Sequence, residues 1–91
     1  MMSQIPLNLG KVKKEDLDNE ILRVGMIAEL DAVNLYEQMA EMTASVKIKK
    51  VLLEIAREEK THIGEFEALL LSRDKEQIQE LAKGKKEVEE I

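Results

Sequence analysis

The chain has 91 residues, room for one small domain, with 44% hydrophobic and 36% charged residues, one Pro and four Gly. It contains no Cys, which excludes disulfide scaffolds, thiolate metal sites and cysteine nucleophiles; one Phe, one Tyr and no Trp exclude a core built on large aromatics. A formal charge of −5 argues against nucleic acid or an anionic membrane as a partner and favours cations at the surface.

In chain order, the opening stretch MMSQIPLNLGKV holds the only Pro and the first Gly, and residues 1–14 read as an irregular arm. It lacks a signal-like apolar segment, and no later run is long enough to span a bilayer. The expectation is a soluble, intracellular chain with no membrane partner. From residue 15 the composition turns to Leu, Ala, Met, Glu and Lys without Pro, which predicts a helix over residues 15–42. Glu15, Asp16 and Asp18 cluster where a helix N-terminus favours negative charge. Thr43-Ala44-Ser45 interrupts the run and offers a hydroxyl cap for a second helix over residues 46–71. Asp74 with Gln77 resembles a capping box, and Gly84 stands where a helix C-terminus takes a left-handed residue. A third helix is therefore expected over residues 75–83, within a segment 73–84, and a frayed charged tail, KKEVEEI, over residues 85–91.

The fold class is thus all-α, with an antiparallel two-helix hairpin over residues 15–72 and a short C-terminal helix. At ~1.5 Å per residue each long helix spans on the order of 40 Å, and a lone hairpin is too thin to cover its apolar faces. The hairpin amounts to half of a four-helix bundle, and self-association should complete it.

Each long helix carries one stripe at alternating spacings of three and four. In the first helix it runs Leu22, Gly25, Glu29, Ala32, Tyr36, Met39; in the second, Ile48, Leu52, Ile55, Glu59, His62, Phe66, Leu69. The stripes are mostly apolar or small, yet Glu29, Glu59 and His62 lie within them. A carboxylate buried in such a seam demands a partner. Folding about residues 44–45 brings the three to one height, because Glu29 lies 15 or 16 positions before the turn and Glu59 and His62 lie 14 to 18 after it. A metal ion satisfies two carboxylates and an imidazole together. Ferritin-like di-iron bundles use two Glu-x-x-His pairs and two further Glu. One chain supplies half of that inventory, and two copies about a two-fold axis supply four Glu and two His. Carboxylate plus imidazole suits Fe(II), Mn(II) or Zn(II) alike.

The segments ELDAVNLYEQ (residues 29–38) and AREEKTHIGEF (residues 56–66) resemble the encapsulated ferritins, small ferritin-like ferroxidases associated with encapsulin nanocompartments. The resemblance covers most of the chain. It implies that Glu29, Glu59 and His62 ligate iron, two ions per dimer, with Glu59 bridging, and that Tyr36 assists catalysis by hydrogen bonding near the metals. It implies that Asp31 lines the route by which iron is admitted, whereas the pattern alone reads Asp31 equally as a solvated face residue and Tyr36 equally as core. It further implies a ring of five dimers, an encapsulin shell protein as partner, and a cytoplasmic location inside that shell. Two positions depart from the family pattern: Ala28 where a second acidic residue often precedes the ligand Glu, and Leu35 where an aromatic commonly precedes the Tyr. The tail resembles no shell-docking peptide, so the expectation is a truncated chain or the ferritin-like part of a fusion. Rival readings are a rubrerythrin-like peroxidase and a metal-independent helical self-association module. Glu58 and Glu65, which flank the motif, read as solvated or salt-bridged, and the Met residues at 26, 39 and 42 as packing filler.

Overall fold

The computed structural model describes residues 8–91. The first seven residues of the expected N-terminal arm lie outside the described residues. Two 3-10 turns, Leu9–Lys11 and Lys14–Asp16, lead into three helices: α1 (Leu17–Met42), α2 (Val46–Leu71) and α3 (Lys75–Glu89). No strand occurs among the described residues. The first helix begins two residues later than expected because Lys14–Asp16 closes a tighter 3-10 turn, a common way to start a helix. Asp18 and Glu20 occupy the first α turn, where their charge suits the exposed N–H groups.

The turn between the long helices is built by side chains. Thr43 Oγ1 accepts from the Ser45 N–H at 3.2 Å, and Ser45 Oγ accepts from the Ile48 N–H at 3.2 Å, capping α2 as its hydroxyl predicted. At the far end Asp74 has two tasks. Its Oδ1 accepts from the Gln77 N–H at 3.0 Å and caps α3, while its Oδ2 accepts from Arg23 Nη2 of α1 at 3.0 Å. Arg73 adds a second tie to the start of α1, with Nη2 3.2 Å from Asp18 Oδ2 and Nε donating to Asn19 Oδ1 at 3.3 Å.

The expected end of the third helix is corrected. The helix passes through Gly84 and continues to Glu89, so most of the segment expected to fray is helical. No described glycine has a positive φ. Glycine in a helix interior costs roughly 1 kcal/mol relative to alanine. The Lys and Glu residues on either side, with Lys85 Nζ 3.9 Å from Glu89 Oε1 one turn on, are strong enough helix formers to carry the chain past it.

Helices α1 and α2 pack antiparallel. Asp18 faces Arg73, Gly25 faces Phe66 and Glu29 faces His62, so each step forward on α1 is matched by an equal step back on α2. The hydrophobic core is slight: among the described residues, Val33, Ala40, Ala56 and Leu70 are the buried apolar ones, and no large side chain is fully buried. All four stand one position on from a stripe residue, about 100° around the helix. The two helices of one chain therefore meet along one edge of the stripes. The other edge stays open, leaving Met39, Ile48 and Leu69 exposed. The radius of gyration, 16.2 Å, exceeds the ~12 Å of a compact domain of this length. The chain is a slab with an uncovered apolar face.

Candidate metal centre

Glu29 projects from the middle of α1, and Glu59 and His62 from the middle of α2, one turn apart on the same face. The hairpin register brings them together. His62 Nδ1 lies 3.3 Å from Glu29 Oε2 and 3.5 Å from Glu59 Oε2, and one ligand atom from each residue falls within 4.8 Å of the others. With its proton on Nδ1 the imidazole donates to Glu29 Oε2 and is attracted to Glu59. The carboxylates are largely withdrawn from water, with side chains 20% and 18% exposed, whereas His62 remains 45% exposed in the single chain.

The donor set fits a divalent cation. Two carboxylates converge on one imidazole nitrogen, no lysine or arginine among the described ion pairs neutralises either of them, and the nitrogen nearest the carboxylates is Nδ1. A cation placed there would displace the Nδ1 proton and relieve the repulsion between the two carboxylates. Three protein ligands from one chain leave coordination positions open, and they lie beside the uncovered edge of the stripe.

The other expected site residues stand apart from this trio. Tyr36 is half-buried two turns beyond Glu29, and no hydrogen bond among the described residues joins its hydroxyl to Glu29, Glu59 or His62. Asp31 is two residues beyond Glu29 and so about 200° around α1, on a different side of the helix. The reading of Asp31 as a solvated face residue is corrected: its side chain is buried, 8% exposed, the one buried polar residue among those described. It lines a shallow concavity with Ile27, Leu30 and Asn34. Burial of a carboxylate has no signature in the helical period, and only the packing of the folded chain around it reveals it. Glu58 and Glu65 are exposed, as expected.

A helical hairpin carrying one Glu and one Glu-x-x-His pair supplies half of the pattern of the ferritin-like class of four-helix proteins. Comparison with known proteins narrows the class. A sequence model of the rubrerythrin family matches residues 20–90. The chain is 58% identical over 94 residues to the ferritin-like–encapsulin shell fusion protein of Pyrococcus furiosus; the match spans 100% of this chain and 27% of that protein. The chain thus corresponds to about a quarter of that relative's length. Among solved structures it is similar to the encapsulated ferritin domain from Pyrococcus furiosus, with a TM-score of 0.85 and 49% identity, covering 100% of this chain and 95% of that one. The chain belongs to the rubrerythrin family and, within it, to the encapsulated ferritins. No helix among the described residues is long and apolar enough to cross a membrane.

Proposed function

We propose that two copies of this chain pair across the open edge of their stripes and form a ferroxidase site whose substrates are Fe(II) and O2. The observation that carries this reading is the convergence of Glu29, Glu59 and His62 beside that edge, half of a di-iron ligand set. A two-fold axis there would double the trio to four Glu and two His, holding two irons per dimer, with Glu59 bridging. Each Fe(II) gives up one electron to become Fe(III), and the pair supplies two to O2. The O2 takes up two protons from water and leaves as hydrogen peroxide, while the Fe(III) is released. The chain's own residues bind and neutralise the substrate ions through the carboxylates and orient them through His62. The surrounding apolar faces exclude water once the second copy covers them. Tyr36, half-buried on the same stripe, is assigned a supporting role beside the site, and Asp31 a role in passing iron toward it.

The relatives' names, a ferritin-like–encapsulin shell fusion protein and an encapsulated ferritin domain, support an encapsulin shell as partner and a place inside it. Iron storage in that shell and a cytoplasmic location are proposed with it. The exposed apolar residues of α3, Ile78, Leu81 and Val88, favour assembly beyond the dimer, for which a ring of five dimers is the reading adopted.

The test adds Fe(II) anaerobically to purified protein, admits air and follows Fe(III) absorbance beside Glu59→Ala. The expected result is oxidation of about one iron per chain, faster than in buffer and lost in the variant. Oxidation no faster than in buffer would sink the assignment. The rubrerythrin family match favours one second reading, a peroxidase that oxidises the bound iron with hydrogen peroxide. Faster oxidation with peroxide than with O2 would select it. A third reading, a metal-independent self-association module, would be selected by a Glu59→Ala dimer more stable than wild type in which metals change nothing.

A further inference from the structure

Gly25 lies four residues before Glu29 on α1, and Phe66 four residues after His62 on α2. Four residues are about one helical turn, so both stand on the face of the site, ~6 Å along the hairpin from the Glu29–His62 pair. They meet there. A methyl group built on Gly25 would sit 3.0 Å from Phe66 Cε1 and Cζ and 3.2 Å from Cδ1, so the ring occupies the space that any other residue at position 25 would fill. The backbone at Gly25 is ordinary right-handed helix, and what glycine supplies is close approach rather than conformational freedom. A methyl on Gly10, Gly64 or Gly84 would meet nothing within 4 Å, so the tight contact is confined to the layer beside the site. Glycine in the interior of a 26-residue helix is unfavourable for the helix itself, so its place here is explained by the ring and not by the secondary structure.

We propose that Phe66, seated on the backbone of α1 at Gly25, is a positioning residue for the metal centre. Its ring sets how closely α1 and α2 approach beside Glu29 and His62, and it closes the site to water from the open end of the hairpin. The inference rests on the metal-centre reading above. A packed aromatic wedge one turn from the ligands acts on them because close-packed interiors transmit small displacements instead of absorbing them. Metal ligands, for their part, tolerate misplacement of only about 0.5 Å. A methyl group at position 25 obliges the ring to give by a few tenths of an ångström.

The experiment uses Co(II), whose visible absorption bands report ligand number and geometry without turnover. Wild type, Gly25→Ala, Phe66→Leu and the double variant are titrated with Co(II) beside Glu59→Ala, and each metal-free protein is melted and its oligomeric mass recorded. Gly25→Ala is expected to bind Co(II) about tenfold more weakly with shifted bands, while melting at or above the wild-type temperature because alanine is the better helix former. Phe66→Leu is expected to weaken binding by a similar factor. The double variant, in which the methyl fills the space the ring vacates, should bind more tightly than Phe66→Leu alone, since residues in contact are not additive. Wild-type affinity and bands in Gly25→Ala would overturn the proposal, as would a loss of affinity that only tracks lower melting or altered mass. If Gly25→Ala does not fold, the same comparison is decided by Phe66→Leu, whose unchanged bands would overturn it. Wild type that binds no Co(II), or binds it equally in Glu59→Ala, would remove the metal centre itself; an intact centre indifferent to position 25 removes this inference alone.

Discussion

The middle of the hairpin and its tip reverse the usual arrangement of a small protein. At mid-height two carboxylates are drawn inward beside a half-exposed imidazole, Glu29 and Glu59 with side chains only about a fifth exposed. At the tip Met42 and Val46 are each 83% exposed. A chain that withdraws charge and presents large apolar groups to solvent is organised around surfaces it does not itself contain. The carboxylates are costly without a cation, and the apolar tip and stripe are costly without a covering face. In the function proposed above, one event resolves both features: association of two copies with metal between them.

The largest expected effect breaks the polar half of this comparison. Glu29→Ala should lower affinity for Fe(II) or Co(II) by about 100-fold or more, since it removes a ligand outright. The metal-free protein should meanwhile melt at or above the wild-type temperature, because the substitution relieves repulsion with Glu59. Metal at 100 times its dissociation constant should stabilise wild type by about 2.7 kcal/mol and the variant hardly at all. Calorimetry with and without metal checks both statements, and a large drop in metal-free stability would instead make Glu29 a structural residue.

The apolar half is broken next. Ala56, 2% exposed where α2 meets α1, leaves no space for a larger group, and Ala56→Leu should cost about 1–3 kcal/mol in urea denaturation. On the open edge, Ile48→Glu should leave helix content unchanged, because Ile48 is exposed in the single chain. It should weaken self-association about tenfold or more, which sedimentation would read. Unchanged association would mean that this edge is not the covered one.

Smaller effects sharpen the contrast between the hairpin and the third helix. Asp74→Ala removes the cap of α3 and its partner Arg23 together, and should cost about 1 kcal/mol. Most of that is assigned to the cap, since the Arg23 end of the ion pair is about half exposed and screened by water. Gly84→Ala should raise stability or helicity by at most about 1 kcal/mol, read as circular dichroism at 222 nm. A loss of helicity would mean that the glycine is needed where it stands.

Much of the fold and the candidate site was legible in the sequence. Helix lengths follow from the absence of Pro and the supply of Leu, Ala, Glu and Lys, and the second and third helices begin where Ser45 and Asp74 supply the caps. The common height of Glu29, Glu59 and His62 follows from arithmetic about a short turn. These signals are local or periodic, and a helix translates period into position with little room for error.

What tertiary structure alone decided concerns neighbours far apart in the chain. That the stripes are covered along one edge only, that Asp31 is buried and turned away from Glu29, and that Phe66 rests on Gly25 all depend on the rotation of each helix about its axis. A single stripe leaves that rotation undetermined, because several faces of an amphipathic helix can pack equally well until a specific large residue finds a specific small one. The passage of α3 through Gly84 was settled differently, by the summed helix propensity of its sequence neighbours over one local stop signal. Composition and period therefore sufficed to place Glu29, Glu59 and His62 at one level. The close packing of two helices, at a glycine and a ring, brought their atoms within reach of one ion.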